Sequence, residues 1–469
     1  MIKQQSKPFA FPSSVFFIGI GGIEVSALAK LALYEGARVA GTDLLESGIT
    51  RELRNFGAEV TIAKTIESIS LLAYKPKLII YSLAVSPEHQ LLRQAKKLRI
   101  KTLKTNEALG EISKIRYTVA VSGMHGKSTT TSMIGVMLES ACLDPLVIVG
   151  TKVPQWSGNI RIKKHQVRNK KLPNNDIFVL EADEYRSKML ALHPDIIVLT
   201  RVEEDHLDYY KNLAHIKREF RKYVRGLEER GVVIANWEDK NIRDILSRLS
   251  DSIVRYNYRD LKIAQKIKKI LKVPGKHNVQ NALAAYAVGA RLGLSEKQIL
   301  KGLARFKGTW RRLELVGYYK LQTTNYKLPI ISDYAHHPTE IRASLQALRE
   351  KYPKKRLVLA YQPHQHNRTK MLFNQFIESF ETADVLILNE IFDVAGREEK
   401  NDQNVSSAQL ANAIKKRREW GRKPIYYSKN LQETRKKIKT LAHKNDVLII
   451  MGAGDIDMIA RELVVQKTV

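Results

Sequence analysis

The stretch Ser122–Thr131, SGMHGKSTTT, decides how the rest of the chain is read. A glycine, a lysine and a run of hydroxyls are the parts of a phosphate-binding loop. Glycines let the backbone curl until its N–H groups face phosphate oxygens, and a following helix adds the positive end of its dipole. The common form of the loop is G-x-x-x-x-G-K-[ST]. Here Val121 stands where the first glycine belongs, so the loop runs from Gly123 as a shorter G-x-x-G-K-S. The context is the required one. YTVAVS (117–122) reads as a strand, and Met133, Ile134, Met137 and Leu138 carry a helical period after the loop. Lys127 is then placed to reach the β- and γ-phosphates of a nucleotide, and Ser128 to offer its hydroxyl to Mg2+.

Working outward, short apolar runs alternate with amphipathic ones. VFFIGI (15–20), RVAGTD (38–43) and KLIIYS (77–82) read as strands, with helices over 23–34 and 89–100. DIFVLEADE (176–184), DIIVLT (195–200) and GVVIAN (231–236) follow the loop, and 277–293 is a helix with a glycine stop. PIISDY (329–334), RLVLAYQ (356–362), DVLILNE (384–390) and DVLIIMGAGD (446–455) make a third set. Strands alternating with helices predict parallel α/β sheets. The expected architecture is three α/β domains in series. They are a Rossmann-like N-terminal domain (1–113), a central P-loop-type ATPase domain (114–316) and a Rossmann-like C-terminal domain (317–469). A length of 469 residues suits roughly three domains of about 150.

In open α/β sheets, ligands sit beyond the carboxyl ends of the strands. Glu181 stands just past one apolar run, and Glu203, Glu204, Asp205 and His206 past another. Together with Lys127 and Ser128 they supply what a metal–nucleotide rim needs. The single cysteine, Cys142, excludes an internal disulfide. No apolar run approaches the ~20 residues of a membrane span, and the first residues lack a signal-peptide core; a cytoplasmic protein is expected. Lys plus Arg number 79 against 48 Asp plus Glu, a net +31. Such a surface attracts anions, but the excess is spread along the chain, which favours a general use of lysine. The densest run, RIKKHQVRNKK (161–171), has no interleaved aromatics for base stacking. It is read as a solvated loop, and nucleic acid is not the expected partner.

These motifs resemble the Mur ligase family of peptidoglycan synthesis, whose own nucleotide loop is the short form beginning at Gly123. The resemblance spans nearly the whole chain: FFIGIGG and GTDL, then EADEY, EEDHLDYY and GKHNVQNALAA, then DYAHHPTEI, YQPHQHNRT and MGAGDI. It is strongest to members that join L-alanine to UDP-N-acetylmuramate. The resemblance implies ATP and Mg2+, an acyl-phosphate intermediate, and UDP-N-acetylmuramate and an amino acid as partners. It implies that Gly123, Met124, His125, Gly126, Lys127, Ser128 and Thr129 hold ATP, with Asn281 at the adenine, near His277 and Asn278. Asp333 would take the ribose. Lys127, Glu181, His206 and Arg312 would be catalytic. Ser128, Glu181 and His206 match the metal positions, with Asp205 in reserve because histidine suits magnesium poorly. Gly19, Gly21, Gly22 and Asp43 would bind the UDP-sugar. His336, His337, His364 and Arg368 would face the amino acid.

The chain departs from the family's pattern at four places. Glu24 replaces a glycine and Val25 a methionine after the glycine turn; a carboxylate there opposes a diphosphate unless it points away. Ser332 stands for an aspartate, and Gln365 for an arginine expected to help hold the amino-acid carboxylate. Three alternatives stay open on the sequence. They are a relative that attaches a whole murein peptide, a nucleic-acid-stimulated P-loop ATPase, and a nucleotide-binding protein without turnover.

Overall fold

The computed structural model describes residues 9–63, 71–163, 176–207, 209–247, 252–321, 326–393 and 404–464. Of the basic run 161–171, residues 164–171 lie outside these ranges.

Three sheets organise the chain. The first holds β1 (Ser14–Ile18), β2 (Arg38–Asp43), β3 (Glu59–Ile62), β4 (Leu78–Tyr81) and β5 (Lys101–Lys104), all parallel, in the order β3-β2-β1-β4-β5. The second holds β6 (Tyr117–Ser122), β7 (Leu146–Val153), β8 (Gly158–Arg161), β9 (Ile177–Glu181), β10 (Ile196–Leu199), β11 (Val232–Asn236) and β12 (Ile253–Tyr256). Its order is β12-β11-β10-β6-β9-β7-β8, parallel except at the β7–β8 edge. The third holds β13 (Glu314–Lys320), β14 (Lys327–Asp333), β15 (Arg356–Tyr361), β16 (Val385–Asn389), β17 (Ile425–Ser428) and β18 (Asp446–Met451). Its order is β13-β14-β18-β15-β16-β17, antiparallel only at β13–β14. The helix Thr105–Lys114 and strand β13 run across the positions where the sequence suggests domain boundaries.

The chain forms two compact units. One runs through Glu203 and includes Leu213–Ile267 and Asn281–Phe306; the other comprises Glu204–Asn212, Lys268–Gln280 and the chain from Lys307 onward. The first unit therefore contains two of the three sheets. The helix Ile23–Tyr34 shows why they cohere. Its sequence IEVSALAKLALY is apolar nearly all round, and Val25 to Ala32 are all buried. A helix without a polar face must be covered on every side. Lys30, in the middle of that buried stretch, donates to Glu52 Oε1 at 2.6 Å and to Asn159 Oδ1 at 3.1 Å on β8. Asn159 returns its amide to the Ile23 carbonyl. Polar groups taken out of water here are hydrogen-bonded.

The inner strands are covered on both faces, which explains their continuous Val/Ile/Leu runs. In the third sheet the period-2 alternation sorts side chains cleanly. Leu357, Leu359, Tyr361 and Ile449 pack with Ile341, Leu345, Phe376 and Trp420 on one face. Val358, Ala360, Leu448 and Ile450 pack with Ile456, Ile459 and Leu463 on the other. Each fully buried aliphatic contributes about 1.5–3 kcal/mol, so the sheets form stiff floors under the loops at their carboxyl ends. Among the described residues no helix is long and apolar enough to cross a membrane.

Candidate active site

Strand β6 delivers the loop. It ends at Ser122, whose hydroxyl donates to the Ala182 carbonyl at 2.8 Å beyond neighbouring β9. Gly123 (φ +130°) and Gly126 (φ +83°) both lie in the left-handed region. A Cβ on Gly123 would meet Thr200 Oγ1 and the Arg201 carbonyl; one on Gly126 would lie 2.5 Å from Asn281 Oδ1. Only glycine suits both positions. Thr200, at the exit of β10, braces the loop by donating to the His125 carbonyl at 2.7 Å. Met124 N–H donates to the Arg201 carbonyl at 2.8 Å. His125 pairs with Glu203 at 2.5 Å. The helix Lys127–Ser140 starts directly after Gly126, so its positive end sits on the loop. Ser128 and Thr129 are both buried at its first turn.

Lys127 folds back on this loop. Its ammonium donates to the Gly123 carbonyl at 2.7 Å, the Met124 carbonyl at 3.3 Å and Glu184 Oε1 at 2.9 Å. Burial works against its charge, but Glu184, Asp183 and Glu181 hold its proton more tightly than in free lysine. Glu184 is completely buried. Glu181, at the end of β9, accepts from Gly150 N–H at 2.6 Å, and a Cβ on Gly150 would lie 2.9 Å from that carboxylate. The Ser128 hydroxyl and the Glu181 carboxylate are hard oxygen donors, and glycine keeps the space beside the carboxylate open. This donor set fits magnesium.

His206 and Asp205 belong to the second unit. Asp205 is buried and accepts from Arg368 Nη2 at 3.0 Å and Nε at 3.3 Å. Burial opposes its ionisation, yet the Arg368 guanidinium, with a smaller contribution from His206, holds its carboxyl well below the usual range. Asp205 is thus engaged as a counter-ion, and Arg368 arrives already paired. His206 sits at φ +53° and lines a small cleft with Gln365, Asn367 and Arg368. Gln365 itself takes φ +71°.

The histidines divide by role. His337 caps the helix Pro338–Lys351: its Nδ1 accepts from Thr339 N–H, and its Nε2 faces the Glu204 carbonyl at 3.2 Å. His336 is pushed down to about 3, chiefly by burial, and is neutral. Its Nδ1 faces the Tyr334 carbonyl at 3.1 Å, so its Nε2 carries the lone pair. His364 stacks on Phe392 and touches Arg368 through Nδ1 at 3.3 Å. His277 is also held neutral by burial, down to about 4. Asn278 ties back to the Pro274 carbonyl at 2.7 Å.

Asp333, at the end of β14, is pushed up to about 6 by burial. Its two oxygens accept Leu313 N–H and Ala335 N–H, each at 2.7 Å. This fastens the strained turn in which Arg311 (φ +56°) and Leu313 (φ +48°) are left-handed. The two arginines of that turn differ. Arg311 is buried and donates to the Gly452 and Gly454 carbonyls of the MGAGD loop. Arg312 lies over the Tyr334 ring, 3.6 Å from Glu340, and is 29% exposed. Arg312 is the arginine with access to a ligand.

At the amino-terminal glycine turn, Gly19 has φ +76°. Asp43 closes the turn: Oδ2 accepts from Gly21 N–H and Oδ1 from Leu44 N–H, both at 2.8 Å. Gly22 caps the helix Ile23–Tyr34.

Three family descriptions tile the chain: "Mur ligase family, catalytic domain" over residues 14–117, "Mur ligase middle domain" over 121–289, and "Mur ligase, glutamate ligase domain" over 311–454. The chain belongs to the Mur ligase family. It is 34% identical to the UDP-N-acetylmuramate–L-alanine ligase of Persephonella marina, covering 96% of both chains. It is 35% identical to the ligase of the same name from Alkaliphilus metalliredigens, covering 97% of both. Among solved structures it is similar to the UDP-N-acetylmuramate–alanine ligase of Thermotoga maritima, with TM-score 0.74 and 26% identity over 96% of this chain and 98% of that one. A murein peptide ligase from Psychrobacter arcticus shares the fold at TM-score 0.66 and 22% identity, over 96% and 98% of the two chains. The three-domain α/β fold read from the sequence is that of this family.

In this Mur ligase, sequence reasoning misses Glu184, Asp183 and Thr200. Glu184 follows Glu181 by three residues, and of the acids in EADE the reading of the sequence singles out Glu181 alone. A buried acid opposite a loop lysine leaves no periodic trace; only the density of acids in EADE hints at it.

Proposed function

We propose that the chain joins L-alanine to UDP-N-acetylmuramate at the expense of ATP, forming the first amide bond of a peptidoglycan peptide. The observation that carries the reading is Lys127. It is held by two loop carbonyls and a buried carboxylate at a helix N-terminus, in a chain about one-third identical throughout to ligases of that name.

A carboxylate oxygen of the sugar nucleotide attacks the γ-phosphorus, ADP departs, and an acyl phosphate results. The amine then attacks the acyl carbon, a tetrahedral intermediate collapses, and phosphate leaves with the amine's proton given up. Such transfer depends on positioning and charge neutralisation. Lys127 supplies a fixed positive charge by exchanging loop carbonyls for phosphate oxygens, with Glu184 keeping it oriented. The loop N–H groups and Asn281 hold the nucleotide, and the glycine turn takes the diphosphate of the sugar nucleotide; the family resemblance gives Asp333 the ribose and Arg312 the phosphates. Ser128 and Glu181 would hold a magnesium ion, which lowers the charge on the phosphates. His336, kept neutral, offers the amine an acceptor rather than a cation. With Arg368 already paired to Asp205 and Gln365 in place of an arginine, the net positive charge offered to the amino-acid carboxylate is small.

The test is phosphate release by purified protein. Turnover is expected only with ATP, Mg2+, UDP-N-acetylmuramate and an amino acid all present, and fastest with L-alanine in a panel that includes L-serine, glycine and a murein tripeptide. Lys127→Ala should lower turnover at least ~1,000-fold without changing the circular dichroism. Hydrolysis stimulated by DNA and indifferent to the sugar nucleotide would overturn the proposal.

A further inference from the structure

Two neighbouring acids after β9 face two different lysines. Glu184 holds Lys127 at the nucleotide loop, as described above. Asp183 holds Lys188: Lys188 Nζ donates to Asp183 Oδ2 at 2.7 Å. Asp183 is itself fixed, since its Oδ1 accepts from Tyr185 N–H and its carbonyl from Met189 N–H. On its other side Lys188 lies 3.9 Å from Glu24 Oε2. Glu24 belongs to the first turn of the helix that starts at the amino-terminal glycine turn. Lys188 and Glu24 are mostly covered, at 17% and 25% exposure.

The backbone is bent to make this contact. Arg186 (φ +54°, ψ +30°) and Ser187 (φ +56°, ψ +28°) are consecutive left-handed residues that carry a Cβ. Each is unfavourable for a residue that carries a Cβ. They turn the chain immediately before Lys188 and set the direction from which its side chain reaches Glu24. Strain of this kind persists where the surrounding structure over-determines it.

Glu24 is also a charge in an awkward place. An acid in a helix's first turn is stabilised by the dipole, but it occupies the positive end that would otherwise meet a diphosphate. Burial outweighs the rest and leaves the Glu24 carboxyl above its ordinary value; Lys188 pulls it down and Asp183 adds to the rise. We propose that Glu24 and Lys188 are a compensated pair, in which Lys188 cancels the carboxylate beside the glycine turn and so acts as a positioning residue for the diphosphate of the sugar nucleotide. The inference rests on the proposed activity. It assigns one lysine to each substrate, Lys127 to ATP and Lys188 to the sugar nucleotide, held by adjacent carboxylates.

Steady-state kinetics on the full chain tests it, with UDP-N-acetylmuramate varied at saturating ATP and L-alanine. Lys188→Met should raise KM for the sugar nucleotide about tenfold at pH 8, roughly 1.4 kcal/mol, far more than it lowers kcat or moves KM for ATP. Adding Glu24→Gln should recover most of that rise. Glu24→Gln alone, which keeps the lysine, should lower KM, so the test survives if Lys188→Met fails to fold. The K188M variant should regain affinity as pH falls towards 6 and Glu24 takes up a proton. Asp183 faces Lys188 as well and is present in both K188M and E24Q/K188M, so only the pH response absent from the double variant belongs to Glu24. An unchanged KM in K188M, or a double variant as weak as K188M, overturns the pair while leaving the ligase reading intact. A wild-type chain that takes no UDP-N-acetylmuramate overturns both.

Discussion

Replacing Arg368 by methionine probes a buried charge pair of the second unit. Arg368 is 9% exposed and Asp205 3%, and both guanidinium hydrogen bonds fall on the same Asp205 oxygen. Removing one partner of a buried pair leaves an uncompensated charge and costs about 3–5 kcal/mol. Methionine keeps most of the volume, so little of that loss comes from a cavity. The pH dependence identifies the cause. In the native chain the Asp205 carboxyl sits well below its unfolded value near ~3.9. Its contribution is therefore full above about pH 4 and is lost as pH falls further. Without Arg368, burial dominates and the carboxyl rises above its unfolded value. The variant then loses stability as pH rises through that new value. The gap between wild type and R368M should thus widen from about pH 4.5 to pH 7.5. Urea unfolding followed by tryptophan fluorescence at the two pH values measures it, with hydrogen exchange over His366–Met371 as a local readout. Asp205→Asn in the R368M background should restore more than half of the loss. An equal gap at both pH values, or a loss below ~1 kcal/mol, would show that the pair is not energetically buried and refute the reasoning.

Gly126→Ala should weaken ATP binding at least tenfold by calorimetry, because a Cβ at φ +83° also strikes Asn281; undiminished affinity would mean that the loop rearranges freely. His336, with its pKa pushed down to about 3, should stay neutral from pH 5 to 9 by NMR, and a titration midpoint near 6.5 would contradict its burial. Ser332→Asp should destabilise the chain by about 1–3 kcal/mol in thermal unfolding, since Ser332 is fully buried and its hydroxyl donates to Asp457 at 2.5 Å. Stability equal to wild type would show that Arg461 or Arg311 can absorb a second carboxylate.

The strands with uninterrupted aliphatic runs are legible because they are covered on both faces: RVAGTD and YTVAVS match β2 and β6 residue for residue. Strand β5, KTLK, follows directly on the helix expected over 89–100 and carries no strand signal of its own, and IYYS of β17 is equally silent. Both are sheet-edge strands whose half-exposed residues make no apolar run, and their place is set by pairing with β4 and β16. The loop from Gly123 to Ser128 is readable because its left-handed turns demand glycines at fixed spacing. The partners of Lys127, Asp205 and Glu24 are not, because Glu184, Arg368 and Lys188 reach them across 57, 163 and 164 residues of sequence, and no local pattern records such pairings. The objection that Glu24 raises to a diphosphate at the glycine turn is sound chemistry; the lysine proposed to answer it, Lys188, approaches only in three dimensions.

An ammonium group has three protons to give, and in Lys127 each has a taker already. In the proposed function nucleotide arrival is consequently an exchange and not an addition: each hydrogen bond to a phosphate oxygen would replace one given up. A ligand that only takes over those three protons gains little net free energy from Lys127, whereas a nucleotide can add contacts elsewhere on the loop. The contribution of Lys127 to binding thus lies in where it places its charge and not in the number of hydrogen bonds it gains.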